Sequence, residues 1–122
     1  MKDYKVGKET MSDAFCREVY AVVRDIPAGK VISYGEIAAL LGKPQCSRMV
    51  GRSLKQVPLD LNLPCHRVVN AQGRLVPGWE EQRTLLQLEG VCFKKSGNVD
   101  MARYLWKYDE IPVSYTHLRA HE

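Results

Sequence analysis

Proline and glycine punctuate this chain so often that only short elements fit between them. Pro27, Gly42, Pro44, Pro58, Pro64, Pro77, Gly78 and Gly90 each stop or bend a helix or strand. Proline lacks an amide donor, and glycine leaves helical geometry at little steric cost. At 122 residues the chain makes one domain, and its 45% hydrophobic content suffices for a real core. No apolar run reaches the length of a membrane span, and the polar start MKDYKVGKET is unlike a signal peptide. The four cysteines form no C-x-x-C pair, so neither a zinc ribbon nor a disulfide framework is expected. The expectation is a cytoplasmic protein with reduced thiols.

Phe15, Val19, Val22, Val23 and Ile26 recur at helical spacing and predict a helix over Ser12–Ile26, with Thr10 and Asp13 as a weak capping box. After the turn Pro27–Lys30, Ser33 and Glu36 form a better capping box for a second helix, Tyr34–Leu41. A third helix runs from about Ser47 to Gln56 and ends at Pro58. Two short helices joined by a tight turn, the second one basic, outline a helix-turn-helix. Arg67-Val68-Val69 and Arg74-Leu75-Val76 read as a hairpin around the turn Asn70–Gly73. A helix from Trp79 to Glu89 follows, then two small edge strands, Val91–Lys94 and Tyr104–Lys107. The fold class expected is mainly α with small β elements, a winged-helix-like domain containing a helix-turn-helix.

The net charge of +4 is unevenly placed. Residues 43–74 carry six bases (Lys43, Arg48, Arg52, Lys55, Arg67, Arg74) against one acid, Asp60, whereas residues 1–42 balance six against six. Such a segment is either a solvated surface or a phosphate-binding face. Val113–Glu122 resembles the in-frame translation of a transposon-type sequencing adapter and is set aside as a foreign tail. His117 and His121, spaced i, i+4 within it, have no third ligand nearby, so no metal site is expected. The division expected is a polar arm over 1–11, a domain over 12–112 and the tail over 113–122.

On the third helix Arg48, Arg52 and Lys55 share one face, while Met49, Val50 and Leu54 can face a core. Gly51 and Ser53 are poor helix formers. Small residues beside a basic face permit close approach to a DNA groove or to another helix, and the spacing leaves both open. Downstream, Leu63-Pro64-Cys65-His66-Arg67-Val68-Val69 places a thiol beside two bases. Thiolates are nucleophiles and are favoured by neighbouring cations, so a depressed Cys65 pKa is expected if it reacts. Along an extended chain, however, adjacent side chains point to opposite faces, and His66 reaches Cys65 only if Pro64 bends the backbone or a water bridges them. A buried structural cysteine is the other reading.

PCHRVV, SRMVGRSL and VISYGEIAALLG together resemble the DNA-binding and active-site domain of O6-alkylguanine-DNA alkyltransferases, over about Phe15 to Gly90. PGWEEQR, LEGV and the GNVD…YLW stretch resemble the family's short alkyltransferase-like branch. The resemblance implies Cys65 as alkyl acceptor and His66 as its base through a water, with Glu89 orienting the imidazole. It implies that Tyr34 packs against a DNA phosphate and assists flipping or protonates the departing guanine. Arg48 would fill the vacated base stack, the third helix with Gly51, Arg52, Ser53 and Lys55 would lie in the minor groove, and Arg67 would also contact DNA. Pro64, Val68 and Trp79 would line the base pocket. The partner implied is duplex DNA containing O6-alkylguanine, bound by a monomer without cofactor, metal or membrane.

Two stretches depart from the family pattern. Val57-Pro58 stands where Asn-Pro is common, and Leu75-Val-Pro-Gly-Trp79 replaces a longer lid of Tyr-Ser-Gly-Gly type. Trp79 either stacks on a flipped base or belongs to the core. The function expected is irreversible alkyl transfer to Cys65, the alternative a non-catalytic lesion binder that recruits nucleotide excision repair. A winged-helix regulator would explain the basic helix but not Pro64–Arg67, and a thiol hydrolase would explain Cys65-His66 but not the basic helix.

Overall fold

A computed structural model describes residues 13–111 of the chain. The Thr10 cap, the N-terminal arm and the His117–His121 pair lie outside the described residues. Helix α1, Asp13–Arg24, buries Phe15, Val19, Val22 and Val23 along one stripe. A turn at Pro27–Lys30 leads to β1, Ile32–Ser33, and directly into α2, Tyr34–Leu40. Ser33 caps α2 by accepting the Glu36 amide at 3.1 Å, one half of the expected box.

Helix α2 ends in a Schellman motif. Gly42, at φ +77°, donates its amide to Ala39 O, and Lys43 donates to Ala38 O, both at 2.9 Å. This turn and the 3-10 turn Pro44–Cys46 redirect the chain into α3, Ser47–Lys55. α2 and α3 form the helix-turn-helix, with α1 packed across α3.

β2, Val68–Val69, pairs parallel with β1 in the register Ile32↔Val68 and Ser33↔Val69. Opposite faces of this small sheet feed two cores. Ile32 and Val68 join α1, α2, Val50 and Trp106. Val69 joins Val31, Leu86, Val91 and Val99 beside α4, Glu81–Leu88. No helix among the described residues is long and apolar enough to cross a membrane.

The β arrangement differs from the expected hairpin. The Asn70–Gly73 turn forms, but the chain after Arg74 does not return as a strand beside β2. β2 instead pairs with β1, where Val68 and Val69 are each buried in one of the two cores on opposite faces of the sheet. The two expected edge strands shrink to single bridges, Phe93↔Val99 and Val31↔Leu105. Met101–Tyr104 is a helical turn, α5, that delivers Trp106 into the first core.

Candidate active site and nucleic-acid interface

Pro64 shapes the segment that carries Cys65. Its φ of −79° and ψ of 63° make an inverse γ-turn, closed by the Cys65 amide donating to Leu63 O at 2.8 Å. Cys65–Arg67 then forms a 3-10 turn, with the Arg67 amide on Pro64 O at 3.0 Å. Successive side chains in such a turn diverge by about 120°, so this segment is not the extended chain assumed from Arg67-Val68-Val69. Cys65 lines a cavity of about 800 Å³, whose walls include Tyr34, Gly51, Pro64, Val76 and Trp79.

Behind the cavity, Glu89 at the end of α4 ties three segments together. Oε2 lies 2.7 Å from His66 Nε2 and 2.6 Å from Arg67 Nη2. Oε1 accepts Arg67 Nε at 3.0 Å and the Gly29 amide at 3.1 Å. Arg67 Nη1 donates onward to Ile26 O at 2.7 Å. Burial alone would push the Glu89 carboxyl up, but the hydrogen bonds from Arg67, His66 and Gly29 outweigh it and hold the group at about 2. An ionised carboxylate only accepts, so the hydrogen of this bond sits on His66 Nε2, and Nδ1 is the ring nitrogen left for a further partner.

The thiol behaves differently from the expectation. Burial pushes Cys65 above its ordinary value, and its own backbone amide only partly offsets this. The two neighbouring bases that suggested a depressed thiol are both committed to Glu89. Tyr34, the first residue of α2, is also raised, by burial and then by the nearness of Cys65. Its phenol is therefore neutral at neutral pH and available as a proton donor.

Residues 14–91 match the family model described as 6-O-methylguanine DNA methyltransferase, DNA binding domain. The chain belongs to this family. It is 41% identical over 110 residues to the DNA base-flipping protein of Escherichia coli, covering 88% of this chain and 83% of the relative. It is 36% identical over 95 residues to a methylated-DNA–protein-cysteine methyltransferase of Methanosarcina acetivorans, covering 75% and 61% respectively. The crystal structure of Schizosaccharomyces pombe Atl1 with DNA containing O6-carboxymethylguanine superposes with a TM-score of 0.70 at 34% identity, covering 79% of this chain and 97% of that one.

The helix-turn-helix of this family member exposes Arg48, Arg52 and Lys55 on α3, as their spacing required, and sets Gly51 against the Tyr34 ring. Two expected roles, those of Ser53 and Val68, do not fit. Ser53 is fully buried, donating to Met49 O at 2.9 Å and accepting from Cys16 Sγ at 3.4 Å, so its hydroxyl belongs to the α1–α3 contact and not to DNA. Arg67 turns its guanidinium onto Glu89 and Ile26 O and at the same time lines the cavity beside Cys65. Val68 is a core residue of β2 and does not reach the Cys65 cavity. Pro64 and Trp79 do line it.

Sequence reasoning missed Gln82. It is fully buried on α4, accepts the Val76 amide at 2.7 Å, and donates to His66 O and Val68 O, both at 3.1 Å. One side chain thus fastens the wall carrying Val76 to the turn carrying Cys65. Its only sequence signal is a polar residue in line with Leu86 on the inner face of a helix.

Proposed function

We propose that this chain recognises O6-alkylguanine in duplex DNA, flips the nucleotide into the Cys65 cavity and accepts its alkyl group on the thiol. The observation that carries this reading is the placement of Cys65 in the cavity wall, with Tyr34 beside it and the His66–Glu89 pair behind. An alkyl carbon at O6 is unreachable inside a duplex, so the base must leave the stack at a cost of a few kcal/mol. Arg48, exposed on α3, fills the gap. The Cys65 proton passes through a water to His66 Nδ1. Sγ then attacks the alkyl carbon as the carbon–O6 bond breaks, and the departing guanine takes a proton from Tyr34. The thioether product has no route back, so each molecule acts once, without cofactor or metal.

A second reading has its own support. Burial keeps Cys65 above its ordinary pKa, which slows attack and suits a protein that holds the lesion without reacting. Similarity to a protein named for base flipping favours the same view. In that case the bound complex would summon nucleotide excision repair. Intact-mass measurement after incubation with O6-methylguanine duplex decides between them. One added methyl group on Cys65 supports transfer; tight binding with unchanged mass overturns it in favour of lesion holding.

A further inference from the structure

Two cavities share a wall. The base cavity and a second cleft of about 480 Å³ are both lined by Tyr34, Lys55 and Val76. On its far side the second cleft adds Asn70 and Arg74. We propose that Arg74 and Lys55 clamp a backbone phosphodiester next to the flipped nucleotide in this cleft, a role that rests on the base-flipping reading above.

The charge favours an anion. Lys55 and Arg74 are both exposed, and neither side chain has a hydrogen-bond or ion-pair partner among the described residues. Two unpaired cations facing one cleft repel each other until an anion enters. A guanidinium fork suits phosphate oxygens in particular, through two parallel N–H donations.

The backbone that carries Arg74 is fixed before any ligand arrives. Asn70 Oδ1 accepts the amides of Gln72 and Arg74 at 2.9 and 2.8 Å, closing the turn from inside. Gly73, at φ +86°, is buried, and its carbonyl accepts the Val99 amide at 2.9 Å. A Cβ there would lie 2.4 Å from Val99 O, so only glycine permits the turn to seat this closely. The turn that failed to become a hairpin is thus a rigid mount for one arginine. Preorganisation of this kind lowers the entropy lost on binding.

The partition supplies the register. A nucleotide whose base occupies one cavity must carry its phosphates past the shared wall, and Tyr34 with Lys55 forms that wall. The phosphodiester contacted is therefore one adjacent to the lesion, not one several nucleotides away.

Fluorescence anisotropy on an O6-methylguanine duplex, scanned with neutral methylphosphonates, tests the clamp. Arg74→Ala should weaken binding about tenfold and flatten the salt slope by about one unit. Arg74→Lys should restore most of the loss, and thermal unfolding should be unchanged because the side chain is exposed. A methylphosphonate beside the lesion should weaken the wild type by a similar factor and leave Arg74→Ala unaffected. Neutral linkages farther away should add their full penalty to both proteins. Equal binding by Arg74→Ala and wild type overturns the proposal, as does full additivity at every position flanking the lesion. If the wild type shows no preference for the lesion, the base-flipping reading falls. The clamp falls with it, whereas a kept lesion preference with equal binding by Arg74→Ala overturns the clamp alone.

Discussion

Arg67 commits its guanidinium to Glu89, with Nη2 2.6 Å from Oε2 and Nε 3.0 Å from Oε1. The same carboxylate holds His66, so the base of the proposed reaction is steered by a residue that also locks the turn beneath it. Folding and positioning therefore depend on one charge.

That dependence predicts a pH profile. Glu89 lies at about 2 in the folded protein against an ordinary value of 4.5. A depressed carboxyl contributes stability that is complete above about 4.5 and is lost as pH falls through about 2. The contribution is on the order of 3 kcal/mol. Urea unfolding midpoints should fall across this window for the wild type and much less for Glu89→Gln, which has no charge to lose. Parallel profiles for the two proteins would show that the carboxylate is not the linked group.

Cys65 gives a prediction opposite to the one its neighbours suggest. Because burial raises the thiol, iodoacetamide at pH 7.5 should modify exposed Cys92 before Cys65 in the free protein. Modification of Cys65 should accelerate with pH through a midpoint above 9.0, its ordinary value. Peptide mass mapping against time reads both rates. Preferential labelling of Cys65 at pH 7.5 would mean that His66 or Arg67 is free to stabilise the thiolate.

Gln82 should matter far more than its place in the sequence suggests. Gln82→Leu keeps most of the volume but leaves His66 O, Val68 O and the Val76 amide without their partner. Buried unmade hydrogen bonds of this kind cost about 1–3 kcal/mol each, so a total loss of about 2–5 kcal/mol is expected after relaxation. Chemical denaturation measures it. A loss below about 1 kcal/mol would show that water replaces the side chain without penalty.

Much of this architecture was legible because local rules and tertiary packing agree. The stripe Phe15–Ile26, the Ser33 cap and the Gly42 stop each placed a helix end or face to within a few residues. The site was legible only as composition. Nothing local distinguishes Arg67, bound inward, from Arg48, exposed, since both are arginines in one basic segment. Glu89 lies 22 residues from Arg67 along the chain, and only the packing of α4 against the reactive turn joins them. Ser53 misled for a related reason: a small polar residue on a basic helix fits a groove or a core equally well, and Tyr20 and Cys16 from α1 decide for the core.

The exposed arginine of α3 carries the most discriminating prediction for DNA. Arg48 stands free on the helix face, while a Cβ at Gly51, three residues on, would meet the Tyr34 ring at the cavity. If Arg48 fills the vacated stack, its value exists only where a stack exists. Arg48→Ala should then weaken binding to an O6-methylguanine duplex by about tenfold or more and to the corresponding single strand far less. Arg52→Ala provides the comparison, because a simple phosphate contact costs a similar factor on any DNA and lowers the salt slope by about one. Anisotropy titrations of both variants on both substrates separate the cases. Equal losses for Arg48→Ala on duplex and single strand would make it another phosphate contact, and the nucleotide would have to be held out of the helix by Tyr34 and the cavity alone.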